Sequence, residues 1–280
     1  MTRSLLLTAL LVPAAFAQRS LDCTGARYCE MREQTVSANG RFSVEGLHNG
    51  SVTVRGSSRS DVLVRMRVET DAHSQGEAKD MFSRVHTHVT PGRFTVDGPG
   101  TDNPFDWFFN ANWSVSVEVL VPNKTDLIVS THNGPIRLEG IDGRAQLDSH
   151  NGAIRADTVT GDTRFDSHNG AVTLHGVGGS VEGTSHNGGV EVELTGNGSA
   201  SRRVQIESHN GGVMLAVPSS FNAHVSTHSD NGRLSSDFPI TVRGRISRNG
   251  NDADRDFDLG SGGSSIRVTT HNGGIRLRRL

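Results

Sequence analysis

The chain has 280 residues, a formal net charge of −2 and 33 glycines, while aromatic residues occupy only 5% of positions. A charge this close to zero predicts neither nucleic acid nor an anionic membrane surface as a partner. Abundant glycine with few aromatic residues argues against a helical protein, because this composition is typical of chains with many short strands joined by tight turns.

Residues 1–17 have the pattern of a secretory signal peptide. An apolar run, Leu5 to Val12, is followed by the small-x-small site Ala15-Phe16-Ala17. The run is too short to span a bilayer, no later stretch is long enough, and no cysteine follows the site to receive lipid. We therefore expect an exported protein without a transmembrane anchor, located in the periplasm, at the cell surface or outside the cell.

The segment 18–34 holds the two cysteines of the chain, Cys23 and Cys29. In an oxidising compartment, two cysteines six positions apart predict a small disulfide loop. Free thiols or an intermolecular bridge are the alternatives. A C-x5-C pair without further ligands is poor evidence for a metal site.

Residues 35–122 predict an N-terminal β region with one short helix. Alternating apolar residues begin at Phe42, and apolar residues at helical spacing predict a helix over about 72–86. A glycine- and proline-containing loop over about 98–113 follows. Its aromatic residues form either an exposed binding patch or a plug over the first coil: Phe105, Trp107, Phe108, Phe109 and Trp113.

Residues 123–280 carry the main signal, a repeated tetrad Ser/Thr-His-Asn-Gly. Four copies recur every 18 residues, and later copies are less regular. Each tetrad lies between two short alternating runs, which predicts strand, turn, strand and turn. Asparagine and glycine suit the corners, since glycine adopts positive φ without strain. The residues of this structural turn ladder are Asn133, Gly134, Asn151, Gly152, Asn169, Gly170, Asn187, Gly188, Asn210, Gly211, Asn272 and Gly273.

A unit this small cannot bury its own apolar face, so successive units must stack. We therefore predict an all-β fold, a parallel β-solenoid of about 18–23 residues per coil with one short α-helix in an N-terminal cap region. Equivalent residues of neighbouring coils would form ladders with rungs about 4.8 Å apart.

The layout resembles a bacterial putative-adhesin domain family of unknown function. The shared features are a signal peptide, an early β segment, one short helix, the strand Val117 to Pro122 and then Thr/Ser-x-Asn-Gly coils, over about Phe42 to Leu280. The resemblance implies the solenoid fold and, weakly, binding at a surface. Histidine at the x position of nearly every tetrad is a feature of this chain's own.

The tetrad histidines should form a row along one edge: His132, His150, His168, His186 and His209. Neutral imidazole is a common ligand of Zn²⁺ and Cu²⁺, so the row could bind either ion. The alternative is an outward corner residue copied with the repeat, because a straight ladder does not provide the tetrahedron of a structural zinc site. No other cofactor is expected.

Neighbouring serine and histidine in a strand point to opposite faces, so the tetrads cannot act as nucleophile and base. We therefore expect no enzyme and no catalytic residue, but a non-enzymatic exported binding or structural protein of the cell envelope, adhesin-like, with an envelope or extracellular protein or glycan as ligand. Divalent-metal binding through the histidine row is one alternative. A β-helix polysaccharide lyase or hydrolase is another, and open ends allow self-association.

Overall fold

The computed structural model describes residues 23, 25–99, 112–196, 201–239 and 255–280. Within these ranges the chain is all-β with one short helix, as predicted. The strands are β1 (Tyr28–Ser37), β2 (Arg41–Leu47), β3 (Val52–Ser57), β4 (Asp61–Asp71), β5 (His86–Thr90), β6 (Arg93–Asp97), β7 (Asn112–Pro122), β8 (Asp126–Thr131), β9 (Ile136–Ile141), β10 (Ala145–Ser149), β11 (Ile154–Val159), β12 (Thr163–Ser167), β13 (Val172–Val177), β14 (Val181–Ser185), β15 (Val190–Leu194), β16 (Arg203–Ser208), β17 (Val213–Val217), β18 (Ala223–Ser229), β19 (Leu234–Ser236), β20 (Arg255–Leu259), β21 (Ser264–Thr270) and β22 (Ile275–Arg279).

The described strands form two large mixed sheets of eleven strands each. Sheet A has the order β1-β4-β7-β3-β9-β11-β13-β15-β17-β22-β19. Sheet B has the order β20-β18-β21-β16-β14-β12-β10-β8-β2-β6-β5. Each tetrad repeat therefore gives one strand to sheet B and the next strand to sheet A.

Repeat strands pair in parallel with their counterparts in the neighbouring repeats. In sheet B, Leu147 of β10 is opposite Phe165 of β12, and in sheet A, Ile154 of β11 is opposite Val172 of β13. The alternation of apolar and polar residues favours this pairing, because a shift by one residue would move every apolar side chain of a strand to the opposite face. The inward faces of both sheets contribute to one buried core.

The spatial order of the repeats differs from their order in the chain. The early pair β2 and β3 lies beside β8 and β9, so the stack begins before residue 123. The C-terminal pair is inserted, with β21 between β16 and β18 in sheet B and β22 between β17 and β19 in sheet A. The last repeat of the chain is therefore the penultimate repeat of the stack.

Antiparallel strands lie outside the repeats. Strand β4 pairs antiparallel with β1 and β7, β5 pairs with β6, and β20 pairs with β18. These pairs make both sheets mixed rather than purely parallel, and β18 is the repeat strand that pairs both ways, antiparallel with β20 and parallel with β21.

The helix α1 (Gln75–Phe82) is shorter than the predicted 72–86. Ser74 caps its N-terminus by accepting a hydrogen bond from the amide of Glu77, which satisfies one of the free donors of the first turn. Ala78, Met81 and Phe82 are buried against the neighbouring strands. No helix of the described residues has the length and apolar content to span a membrane.

Candidate functional site

The tetrads lie where each sheet B strand ends and the chain turns towards sheet A. Their first residue is buried, and its hydroxyl donates to the carbonyl of the tetrad glycine three positions later, as Ser149 donates to Gly152 at 2.8 Å. The same bond closes the turns that begin at Thr131, Ser167, Ser185, Ser208 and Thr270. These hydroxyls are therefore engaged in turn structure.

The tetrad asparagines form one continuous chain of amide hydrogen bonds. Each side-chain NH₂ donates to the side-chain oxygen of the asparagine in the preceding repeat of the stack, at 2.7–3.0 Å. In spatial order the chain is Asn49, Asn133, Asn151, Asn169, Asn187, Asn210, Asn272 and Asn231. Each bond joins two repeats at the same corner.

The tetrad glycines are required by close approach and, apart from Gly50, not by positive φ. A Cβ at Gly152 would lie 2.0 Å from the carbonyl oxygen of Gly134, and one at Gly170 would lie 2.0 Å from that of Gly152. The expectation that these corners need positive φ is therefore wrong. Glycine is needed because successive turns stack backbone on backbone.

The tetrad histidines form a stacked ladder on the exposed side of the corner. Seven imidazole rings follow one another with centroid distances of 4.4–5.1 Å: His48, His132, His150, His168, His186, His209 and His271. We call this row the histidine ladder. The structure thus brings together the five histidines proposed from the sequence and adds one at each end.

The two added histidines belong to copies that are visible in the sequence. His48 lies in Leu47-His48-Asn49-Gly50, whose first residue departs from the tetrad, and His271 lies in the copy furthest along the chain. Asp230 takes the histidine position in the outermost repeat, where its carboxylate lies 2.9 Å from Nε2 of His228 and 3.9 Å from Nε2 of His271. A carboxylate therefore caps the ladder.

One end of the histidine ladder has a group of side chains that could hold a metal ion. The candidate ligand atoms of Glu207, His209 and His271 all lie within 4.8 Å of one another, which among the described residues is the one such group of three. The Nδ1 atoms of His209 and His271 are buried and without a hydrogen-bond partner, as is Nδ1 of His186.

A groove of about 870 Å³ lies on the outer side of sheet B, at the opposite ends of the same parallel strands. This volume is within the range of small-ligand sites. We call it the sheet B groove. Its side chains come from β2, β6, β8, β10, β12, β14 and the turns before them, and those named below are Arg41, Glu45, Arg93, Asp126, Ile128, Arg144, Asp162, Arg164 and Glu182.

Charge is balanced in the sheet B groove, where four arginines face four carboxylates. Three of the arginines form exposed ion pairs: Arg93 with Glu45 at 2.8 Å, Arg144 with Asp126 at 3.2 Å and Arg164 with Glu182 at 3.2 Å. Exposed pairs of this kind contribute little to stability, typically about 0–1 kcal/mol. Their donors and acceptors can therefore rearrange around a ligand at low cost.

Ile128 is the apolar element of the sheet B groove. It is 45% exposed, and the other large hydrophobic residues exposed to a similar degree among those that the structure describes, Met31 and Leu280, lie outside the groove. An exposed isoleucine among polar side chains offers a contact for the apolar face of a ligand.

The aromatic residues proposed from the sequence as a binding patch are only partly described. Phe105, Trp107, Phe108 and Phe109 lie outside the described residues, as do residues 1–17. Trp113 is 4% exposed, belongs to the core and donates from its indole nitrogen to the carbonyl of Pro99 at 2.9 Å. Trp113 is therefore not available as a surface contact.

Cys23 and Cys29 form a disulfide bond. Cys29 lies in β1, an edge strand of sheet A, and Cys23 lies five residues before this strand begins.

The outer face of sheet A carries an ion-pair network that sequence reasoning missed. Arg55 binds the carboxylates of Glu118 and Glu139, and Arg65 binds Glu33 at 2.8 Å. The hydrogen bond from Arg65 to Glu33 raises the pKa of Arg65.

No family model and no curated relative matches the chain. Several solved structures align with most of it. A protein named "putative cell adhesion protein" from Clostridium sporogenes is 14% identical, with 90% of this chain and 100% of that chain covered and a TM-score of 0.35.

Two further structures from other bacteria align over similar lengths. A "putative adhesin" from Bacteroides fragilis is 9% identical, covering 90% of this chain and 98% of that one, with a TM-score of 0.44. A "putative lipid binding protein" from Parabacteroides distasonis is 10% identical, covering 89% and 96%, with a TM-score of 0.38. Likenesses this distant assign no function to this chain.

Proposed function

We propose that the chain is an exported, non-enzymatic binding protein of the cell envelope, adhesin-like, and that its ligand lies in the sheet B groove. The observation that carries this proposal is the composition of the groove, in which charge-balanced, exposed arginine and carboxylate side chains surround the exposed Ile128. The ligand is an extended, uncharged polar molecule, and an oligosaccharide is the class to test first.

The charge balance of the groove is the reason for preferring an uncharged ligand. Four arginines opposite four carboxylates create no net field that would favour an anion or a cation. They do offer many hydrogen-bond donors and acceptors, which match the hydroxyl groups of a sugar. The groove crosses several parallel strands, so an extended ligand could contact several repeats at once.

We also propose that the fold as a whole is a parallel β-solenoid of two-strand coils, with the sheet B groove on its surface. In-register parallel pairing of repeat strands in both sheets supports this interpretation. So does the unbroken chain of asparagine hydrogen bonds from Asn49 to Asn231. Each coil buries the apolar face of its neighbour, which no single coil can do alone.

The hydrogen bonds of the tetrad hydroxyl groups support a non-enzymatic role. The serine and threonine hydroxyls donate to glycine carbonyls inside the turns and are buried, so they are not poised as nucleophiles. The disulfide between Cys23 and Cys29 supports export, because such bonds persist in oxidising compartments. The compartment in this proposal is the periplasm, the cell surface or the medium.

The test is retention of the purified mature chain on immobilised oligosaccharides, a neutral set and a uronic-acid-containing set. We expect retention on neutral members, weakened about tenfold by Ile128→Ala, because a contact at the centre of a site typically costs more than about 1 kcal/mol when truncated. Met31→Ala is the matched control, since Met31 is equally exposed, at 47%, and lies outside the groove.

Two results would reject the groove as the binding site. One is retention that Ile128→Ala and Met31→Ala leave equally intact, and the other is absence of retention on every oligosaccharide. Retention on the acidic set alone would reject the uncharged ligand.

Divalent-metal binding by the histidine ladder is a second candidate function, with Zn²⁺ or Cu²⁺ as the ion. The observation that favours it is the grouping of Glu207 with His209 and His271, since two imidazoles and a carboxylate are a common zinc ligand set. Equilibrium dialysis of the tag-free chain against Zn²⁺ tests it. Retention of at least one ion per chain is expected, and none retained would reject it.

A further inference from the structure

The stacked part of the histidine ladder does not offer a shared coordination point. From His48 to His168 the ring planes are parallel within 7° and the centroids are 4.6–4.9 Å apart. The lone pairs of imidazole nitrogens lie in the ring plane, so in parallel rings they point in the same direction and do not converge.

His168 and His186 are inclined by 37°, but among the described residues only the end of the ladder next to the inserted repeat adds a carboxylate to two imidazoles. His209 and His271 have the shortest centroid distance, 4.4 Å, and their planes are inclined by 17°. Glu207 precedes His209 by two positions on the outward face of β16, and its carboxylate joins the two imidazoles within 4.8 Å. Three side chains of two ligand types that zinc accepts, imidazole and carboxylate, therefore meet at this end.

Asp148 and Asp166 occupy the position equivalent to Glu207 in earlier repeats. Across sheet B, Asp148 pairs with Asp166, Asp166 with Thr184, and Thr184 with Glu207. Among the described residues, neither aspartate belongs to a group of three ligand atoms. Aspartate is one methylene shorter than glutamate, which accounts for the difference in reach. The extra methylene of Glu207 is therefore the feature that distinguishes this repeat.

The unpartnered nitrogens at this end point to a ligand. Among the described residues, Nδ1 of His209 and Nδ1 of His271 are buried without a hydrogen-bond partner, and an unsatisfied buried polar atom destabilises the folded chain. Ligation through Nδ1 would supply the missing partner. On the other side, the Asp230 carboxylate lies 3.9 Å from Nε2 of His271, beyond hydrogen-bond distance.

We propose that Glu207, His209 and His271 form a Zn²⁺ site at the inserted repeat. The proposal rests on the metal-binding candidate function and restricts it to one end of the ladder. It assigns the remaining histidines, His48 to His186, to stacking between repeats. The site exists only when the C-terminal repeat is inserted beside β16, because His271 comes from that repeat.

The test is calorimetric titration of the tag-free mature chain with ZnCl₂ at pH 7.5. We expect one ion per chain with micromolar affinity, weakened at least tenfold in Glu207→Gln, which keeps the side-chain shape and so leaves folding intact. Glu207→Asp should also bind more weakly than the unchanged chain. Asp166→Asn is the matched control in the equivalent position and should bind like the unchanged chain.

The outcomes separate the proposed three-residue site from metal binding by the histidine ladder in general. Zinc binding that Glu207→Gln leaves unchanged and Asp166→Asn or His150→Ala weakens would overturn the assigned site but keep metal binding by the ladder. No binding by the unchanged chain would overturn both.

Discussion

His271 stacks on His209 at a centroid distance of 4.4 Å, although the strands of another repeat, β18 and β19, lie between them in the chain. The contact exists because β21 is inserted between β16 and β18. Chain order and spatial order therefore differ at the end of the stack. The candidate metal site is one consequence of this insertion.

Thr163 and Thr131 provide a matched pair for the energetics of the core. Thr163 is 2% exposed and its hydroxyl has no hydrogen-bond partner, whereas Thr131, 7% exposed, donates to the carbonyl of Gly134 at 2.6 Å. We expect Thr163→Val to raise the free energy of unfolding by about 1 kcal/mol, because it removes an unsatisfied buried hydroxyl.

Thr131→Val is the control and should lower the free energy of unfolding by about 1–2 kcal/mol, since it leaves a buried carbonyl without its donor. Urea denaturation of both variants measures the two changes. Equal signs for the two substitutions would contradict the hydrogen-bonding difference between these sites.

Gly152 tests the backbone contact between neighbouring turns. Its substitution by alanine would place a Cβ 2.0 Å from a backbone oxygen of Gly134, which must then move. We expect Gly152→Ala to lower the free energy of unfolding by about 3 kcal/mol or more, at or beyond the upper end of overpacking costs.

Gly76 in α1 is the control, because a Cβ there would have no contact closer than 3.9 Å. Gly76→Ala should leave stability unchanged or raise it by up to about 1 kcal/mol, as alanine is the better helix former. Thermal denaturation followed by circular dichroism compares the two variants. A Gly152→Ala variant as stable as Gly76→Ala would show that the turns do not stack as described.

Because Tyr28 is the single tyrosine of the chain, its titration can be followed directly by phenolate absorbance. Its hydroxyl donates to the carboxylate of Glu30 at 2.6 Å, and this hydrogen bond raises the pKa of Tyr28 above its ordinary value of about 10. The phenolate absorbance of the folded chain should therefore appear at a higher pH than that of the unfolded chain.

The stability that accompanies this shift has a definite sign. Above the ordinary tyrosine pKa the folded chain holds a proton that the unfolded chain has lost, so the contribution is present below that pH and declines as pH rises through the raised value. Glu30→Gln should move the absorbance midpoint down. A midpoint unchanged by Glu30→Gln would contradict the hydrogen bond as the cause.

The β architecture was predictable because the tetrad recurs at a constant interval. Equal spacing aligns Leu147 with Phe165 and Ile154 with Val172, as the structure has them. The position of the C-terminal repeat was not predictable, because its tetrad Thr270 to Gly273 has the same residue types as the others and could stack on any copy. Packing beside β16 depends on contacts that the tetrad does not specify.

Other features also depend on long-range contacts. Phe165 fits because its neighbour in the next repeat is Gly183, where a Cβ would lie 2.2 Å from the Phe165 ring. Neither Phe165 nor Gly183 by itself predicts from the sequence that the two residues pair. The sheet B groove is likewise assembled from several strands that are distant in sequence, so no local motif marks Ile128 or Arg144 as neighbours.

The sheet B groove and the histidine ladder lie at opposite ends of the same parallel strands, separated by about 17 Å of a five-residue strand. The most direct test of the binding proposal is therefore an amide chemical-shift map of the chain with the oligosaccharide that it retains best. We predict shifts at Ile128, Arg144 and Arg164, with none at His150 or Asn169. Shifts confined to the ladder or to sheet A would contradict the groove as the binding surface.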